Sequence, residues 1–383
     1  MIFFLFSIML YIGYAVLIVT ISIGWWKLRD FEITRQLPGV KISVVVAVRN
    51  EAANIGALLH SLLLQDYPAE LYEIIIVDDQ SDDQTTRLAE DVIAGKKEAQ
   101  NLKLVVLDVK NGSGKKAAID LGIKVSSGEL IVITDADCTA GNKWISSLSS
   151  FYKKNKPQMI LAPVRMTEGG SFFGKLQSLE FTSLIASAAG SCNAGYPLLA
   201  NGANMAFTRQ AYETCGGFTG NLQYPSGDDM FLMISINKKF GPEAIRFLRS
   251  DDAIVNTPAT KGVKPFIQQR LRWVSKTRGY PDPLLAASSI IVFLTNICLV
   301  AAAFSALFIP GYMGYFLVLY LIKLVLDVPL MLSYSLFQKK SALMWLFPLM
   351  ELLNGFYTLI IGIAGNIGRF EWKGRNFSSN FHK

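Results

Sequence analysis

Histidine is nearly missing from this chain, with only His60 and His382 among 383 residues. That scarcity argues against a histidine-rich zinc centre or a histidine-based nucleophile triad, and turns attention to carboxylates, lysine and arginine for any chemistry. Cysteine is also sparse: Cys138, Cys192, Cys215 and Cys298 are scattered, with no CxxC pair, which suits a reducing compartment. Charge is thin as well, at 17% of residues against 51% hydrophobic ones. From Ile2 to Trp26 there is no charged residue at all, and Lys27 and Arg29 follow. A signal peptide would put cations before a shorter apolar core. The stretch is instead long enough to span a bilayer and ends in an aromatic pair with cations behind it.

The apolar residues gather at the two ends of the chain, and the middle has globular composition. We therefore divide it into a transmembrane anchor (1–26), a cytosolic globular domain (40–260), an amphipathic interface helix (261–283), three apolar membrane blocks (284–367) and a basic tail (368–383). The formal charge of +7 comes from Lys and Arg beside the apolar blocks, as the positive-inside rule expects, so nucleic acid is not an expected partner. With three C-terminal spans, the tail cations Arg369, Lys373, Arg375 and Lys383 would fall outside, against that rule. Pro348 and Asn354-Gly355 mark the last block as a candidate re-entrant or interfacial segment, and the side of the tail stays open.

In the middle, strand-like and helix-like patterns alternate. Ile42–Val48 is a buried strand followed by the polar turn Arg49-Asn50-Glu51, and Ile55, Leu58, Leu59, Leu62 and Leu63 lie at helical spacing. Strands at Glu73–Val77 and Leu102–Leu107 and helices at 85–94 and 117–125 continue a β-α-β series typical of a doubly wound sheet. The strand Leu130-Ile131-Val132-Ile133 ends in Asp135-Ala136-Asp137. On an extended backbone those two carboxylates project the same way, at the sheet end where α/β folds bind ligands. A hard divalent cation with oxygen ligands would relieve their repulsion; an Asp-rich turn would look the same.

Asp78-Asp79 also sits at a strand end, suited to accept hydrogen bonds from a nucleoside, while Asp82 and Asp83 suit the turn or the next helix cap. Asn111-Gly112-Ser113-Gly114-Lys115 lacks P-loop spacing, and Lys115 reads either as a diphosphate contact or as a solvated lysine. Ser226-Gly227-Asp228-Asp229 precedes an apolar run: Ser226 caps a helix whose dipole the acids complement, or one Asp is a general base. Gln269-Arg270-Leu271-Arg272-Trp273 offers arginines for phosphate and a flat ring for a sugar or lipid head, and interface anchoring is the alternative. Lys323 and Asp327, four apart in an apolar block, read as a local ion pair or as the lining of a conduit.

Taken together, over residues 40–275, these pieces resemble the family 2 inverting glycosyltransferases. The resemblance is to their membrane-bound branch, which includes ceramide glucosyltransferases and the cellulose and hyaluronan synthases. The motifs that carry it are Asp78-Asp79, the DxD Asp135-Ala136-Asp137, Asp228-Asp229 where many members have Glu-Asp, and Gln269-Arg270-Leu271-Arg272-Trp273. Asn201-Gly202-Ala203-Asn204-Met205 is similar to an acceptor-side segment, and Trp372-Lys373-Gly374-Arg375 to a tail of some bacterial members.

The resemblance implies a GT-A-like doubly wound mixed sheet of the nucleotide-diphospho-sugar transferase type, with transmembrane helices at both ends. It implies a UDP-linked donor touching Asp79, Asp78, Glu51, Lys115 and Asp135, and Mg²⁺ or Mn²⁺ on Asp135 and Asp137. Asp229, beside Asp228, becomes the catalytic base, and Gln269, Arg270, Arg272 and Trp273 close over diphosphate and acceptor. The expected acceptor is a lipid-borne hydroxyl, and the expected location a bacterial inner membrane with a cytosolic catalytic domain. A processive polysaccharide synthase and a non-catalytic nucleotide-sugar-binding scaffold are the alternatives.

Overall fold

The computed structural model describes residues 2–33, 39–95, 100–108, 113–221, 224, 227–367, 369–373 and 375–378. Asn111, Gly112, Ser226, Gly374 and Lys383 of the sequence reading lie outside them.

The chain opens with α1 (Ile2–Lys27), then β1 (Ile42–Val48), α2 (Ile55–Leu63), β2 (Tyr72–Asp78), α3 (Thr85–Gly95), β3 (Leu102–Val106), α4 (Lys115–Val125) and β4 (Leu130–Ile133). The residues of β1, β2 and β4 are almost all buried, which is why they read as unbroken β-branched runs rather than alternating ones. There follow β5 (Thr139–Ala140), α5 (Trp144–Asn155), β6 (Met159–Leu161), β7 (Val164–Thr167), α6 (Phe172–Asn193), β8 (Met205–Thr208), α7 (Arg209–Thr214), α8 (Asp228–Phe240), β9 (Ile245–Phe247) and β10 (Val255–Pro258). The main sheet runs β3-β2-β1-β4-β8-β6-β9, with β8 antiparallel to both neighbours, so the sheet is mixed. The strands β2, β1 and β4 lie side by side and parallel. Their C-terminal ends deliver Asp79, Glu51 and the 135–137 segment to one edge.

After α9 (Val263–Ser275) come α10 (Pro283–Ala306), α11 (Tyr312–Phe337), α12 (Phe347–Ile367) and a hairpin of β11 (Arg369–Trp372) and β12 (Arg375–Ser378). Among the described residues, four helical stretches, Phe3–Lys27, Pro283–Ala306, Tyr312–Phe337 and Ser341–Gly365, are long and apolar enough to cross a membrane. Both flanks of the last one touch the sheet domain. Before it, Lys340 pairs with Glu168 and Lys339 with Asp251 (2.5 Å). Behind it, Lys373 reaches Glu51 (2.7 Å).

The anchor helix is fastened to the sheet domain by a backbone-on-backbone crossing of α1 and α6. A Cβ on Gly24 would lie 2.0 Å from the Gly190 carbonyl oxygen, and one on Gly190 2.2 Å from that of Ile21. Asn193 Nδ2 donates to the Gly24 carbonyl (2.8 Å), and Trp25 is buried against Arg249 and Tyr334. At the other end of the sheet, Glu73 accepts from Ser43 Oγ, from the backbone and hydroxyl of Ser127, and from Lys103. Burial works against its charge, but the Lys103 and serine hydrogen bonds win and hold the carboxyl down at about 2.

Two outcomes follow for protein in detergent. Gly190→Ala forces two backbones apart and is expected to cost about 1–3 kcal/mol, seen as a lowered midpoint of thermal unfolding; an unchanged midpoint would refute the crossing. The folded pKa of Glu73 lies below its unfolded one, so its contribution is complete above pH 4.5 and is lost as pH falls toward 2. Wild type and Glu73→Gln should therefore differ at pH 7 and converge in unfolding midpoint near pH 2.

Candidate active site

One cavity of about 1390 Å³ opens at the carboxyl ends of β1, β2 and β4. Glu51, Asp79, Asp135, Asp137, Asp228 and Asp229 all line it, facing Lys115, Arg272, Lys276 and Lys373. So many carboxylates around one space require cations among them, and the sequence supplies these from three distant places.

Lys115 begins α4, and its ammonium lies 2.6 Å from Asp135 Oδ1 and 3.4 Å from Asp228 Oδ2. Burial opposes its charge, yet Asp135 and Asp228 outweigh burial and hold its pKa above that of a free lysine. Of the two sequence readings, the solvated lysine is therefore wrong. Asp228 is 3% exposed; burial pushes its carboxyl up, but Lys115 and Lys276 overcome that and keep it below the ordinary range. Asp229 opens the first turn of α8, where the dipole favours anions. Its Oδ2 accepts the Gly202 N–H (3.2 Å), its Oδ1 accepts the Met230 N–H (2.8 Å), and Lys276 stands 3.6 Å away. Lys116, beside Lys115, is buried 4.5 Å over the Phe231 ring, and burial lowers its pKa to about 8.

The DxD segment departs from expectation in one respect. The strand ends at Ile133, and the Cys138 N–H bonds to the Asp135 carbonyl (3.1 Å), so residues 135–138 form a turn rather than extended backbone. Asp135 meets Lys115, while Asp137 lies toward Glu51; burial first, then Asp135 and Glu51, push its carboxyl up to about 6. That surplus of hard-oxygen charge fits a divalent cation. No group of three or more His, Cys, Asp or Glu among the described residues converges as a ready-made metal site. Asp135 and Asp137 would supply part of the coordination, as at Mg²⁺ sites completed by substrate phosphate and water.

Asp79 accepts the Gly114 N–H (3.0 Å) and lines the cavity. Asp78 does not: it is buried and accepts from the Ser81 hydroxyl and N–H, shaping the turn instead of facing a ligand. In α9 the two arginines part company. Arg270, 1% exposed, forks onto Glu180 of α6 with its neighbour Gln269 as a further acceptor, and stacks 4.1 Å from the Trp273 ring. It is engaged within the protein rather than extended toward a phosphate. Arg272 points the other way: burial lowers its pKa, and the field of Asp135, Asp228, Asp229 and Asp137 opposes that. In the acceptor-side segment, buried Asn204 is spent on Trp144 and on the carbonyls of Pro163 and Ala253.

Sequence reasoning placed Lys276 on the Arg272 face and named the segments holding Gly202 and Lys373, but gave none of the three the contact seen here: Lys276 and the Gly202 N–H on Asp229, and Lys373 on Glu51. Lys276 carries a usable signal, since it follows Arg272 by four and so shares its helix face. In the membrane region, Lys323 pairs with Asp327 (2.9 Å), as the local-pair reading expects, and also with Glu351.

Residues 43–216 match the profile of "Glycosyl transferase family 2", and residues 130–358 that of "Glycosyl transferase family group 2". The chain is 32% identical over 145 residues to the poly-beta-1,6-N-acetyl-D-glucosamine synthase of Staphylococcus epidermidis, covering 38% of this chain and 33% of that one. It is 29% identical over 115 residues to the beta-monoglucosyldiacylglycerol synthase of Trichormus variabilis, covering 30% of this chain and 24% of that one. The chain thus spans a quarter to a third of the length of these curated relatives. Its fold is similar to that of the mannosyltransferase PcManGT from Pyrobaculum calidifontis, solved with GDP-Man and Mn2+. That match has a TM-score of 0.59 at 18% identity and covers 92% of this chain and 98% of that one. The fold is thereby the GT-A-like mixed sheet, flanked by apolar helices.

Lys115→Met should destabilise the protein by about 3–5 kcal/mol, because it strands a buried carboxylate. Adding Asp228→Asn should return much of that loss, and a double-mutant cycle by unfolding in detergent measures it. Strict additivity would show that the two do not interact.

Proposed function

Starting from a chain that belongs to the family 2 glycosyltransferases, we propose that it moves a sugar from a UDP-linked donor to a hydroxyl carried by a lipid. The transfer takes place at the cytosolic face of a membrane with inversion at the anomeric carbon, as in the membrane-bound branch. The observation that carries this reading is the continuity of one cavity from the carboxylates of the sheet edge to the side chains of α1, α10, α11 and α12. A relative named as a diacylglycerol-based lipid synthase and a fold neighbour solved with a nucleotide-sugar support it.

In this mechanism Asp79 accepts hydrogen bonds from the nucleoside. Asp229, oriented by the Gly202 N–H and with Lys276 3.6 Å away, takes the acceptor's hydroxyl proton as that oxygen attacks the anomeric carbon. Lys115 and Arg272 are the cations placed to stabilise the departing diphosphate. A divalent cation on Asp135 and Asp137, Mg²⁺ or Mn²⁺, would add Lewis-acid stabilisation of the same charge. Arg270 holds α9 to α6 through Glu180 and so positions Trp273 and Arg272. Direct displacement needs no enzyme nucleophile, in keeping with a site built of carboxylates and cations.

The ties at both flanks of α12 support a membrane arrangement. A segment anchored before and after to the same domain, through Lys340 and Lys373, enters and leaves on one side. On this reading α12 is re-entrant and the basic tail is cytosolic, which removes the conflict with the charge rule. A second reading, polymer synthesis, is favoured by the relative named as a polysaccharide synthase.

Purified protein should transfer sugar to lipid, lose activity in EDTA, and lose about a hundred- to ten-thousand-fold with Asp229→Asn. Full activity of that variant would end the assignment. Mass spectrometry of the product separates one added sugar from a ladder. A reporter fused after Lys383 should be protected from the outside of intact cells, and labelling from outside would overturn the re-entrant helix.

A further inference from the structure

The turn Arg49-Asn50-Glu51 follows β1, and the mechanism above makes no use of its arginine. The Arg49 side chain is only 11% exposed, although it lies on the cavity wall. Three backbone carbonyls converge on it. Nη1 donates to those of Asp79 (2.5 Å) and Gln80 (2.7 Å), and Nε to that of Lys373 (3.3 Å). Nη2 stands 3.3 Å from the exposed carboxylate of Asp82. Carbonyl oxygens brought together repel, and a guanidinium, with its planar fork of donors, is the side chain suited to serve several at once.

The backbone around this fork is held in unusual conformations. Asn50 (φ 51°) and Gln80 (φ 58°) are both left-handed, a state disfavoured for residues with a Cβ that persists where the surroundings over-determine it. Here two turns lace each other together. The Asn50 N–H donates to Ser81 Oγ (3.0 Å), the Glu51 N–H to Thr85 Oγ1 (2.8 Å), and the Asp82 N–H to Asn50 Oδ1 (2.8 Å). Asp79 sits where the turns meet. Its N–H donates to the Val48 carbonyl (2.8 Å), its carbonyl accepts from Arg49, and its carboxylate accepts the Gly114 N–H (3.0 Å). Held on both sides of its Cα, Asp79 has a fixed side-chain direction. That direction opens on the cavity, while Asp78 is turned to Ser81.

We propose that Arg49 is a positioning residue for the nucleotide: it acts through Asp79, fixing the backbone so that the carboxylate meets the nucleoside. A direct contact between this cation and the diphosphate is the competing role, but its two shortest hydrogen bonds are spent on the Asp79 and Gln80 carbonyls. The inference rests on the nucleotide-sugar reading above and deepens it, since it says which side chain aims the nucleoside's acceptor.

The test uses the full chain in detergent with Mn²⁺, and calorimetric titration with UDP and GDP, the tighter of the two on wild type serving as probe. Arg49→Met should weaken its binding about tenfold, the size of one hydrogen bond. Arg49→Lys, which keeps the charge without the fork, should fall between. In an Asp79→Ala background the Arg49 substitution should change affinity by less than about twofold, because no carboxylate is left to aim. In transfer assays Arg49→Lys should raise the donor KM and leave kcat and the acceptor KM within about twofold of wild type. A loss that persists in full in Asp79→Ala shows direct contact with the nucleotide and overturns the proposal, as does unaltered affinity of Arg49→Met. If Arg49→Met does not fold, Arg49→Lys carries the same cycle, and wild-type affinity in that variant overturns the proposal. Wild type that binds neither nucleotide sinks the proposed function and this inference together. Nucleotide binding with the expected cycle but no sugar transfer sinks the function alone.

Discussion

The bridge from Lys115 to Asp135 and Asp228 is the constraint around which the rest is arranged. It joins the start of α4, the end of β4 and the first turn of α8, three segments more than a hundred positions apart at their extremes. Without a buried ammonium there, the DxD turn and the acidic pair would repel across the cavity, and the sheet edge would have no reason to close. Lys276 and Lys373 repeat the device at the margins, on Asp229 and Glu51. The cations from α4, α9 and the β11–β12 hairpin thus offset the carboxylates that crowd one cavity.

Much of the scaffold was legible because burial on both faces leaves an unmistakable mark. The runs Ile42–Val48 and Leu130–Ile133 and the apolar blocks coincide closely with β1, β4, α1, α10 and α11. The region from Thr139 to Asn204 was opaque, since its strands are two to four residues long and α6 is buried along much of its length with no clean stripe. At the site, residue types were readable and partners were not. Asp135 and Asp137 both line the cavity, but extended geometry was the wrong route to them, because hydrogen bonding from Cys138 turns the chain. Arg270 looked like a phosphate clamp because nothing local betrays Glu180, ninety positions earlier. Asp78 looked equivalent to Asp79 until the Ser81 hydroxyl claimed it.

The helix α9 links the two halves of the molecule. Its Arg272 faces the carboxylates while Leu271 and Val274 pack on α12, against Ile361 and Gly365. A displacement of α12 is therefore felt at Arg272, without an intervening loop. Family membership explains the sheet edge, and this contact explains why the apolar helices bear on it.

The meeting of Gly24 and Gly190 has a mechanical corollary. Two backbones in contact leave no slack, so the anchor is not a tether on which the enzyme swings. The cavity edge is therefore held at a set distance from the apolar helix, like a blade clamped to its guide, and the two move as one piece.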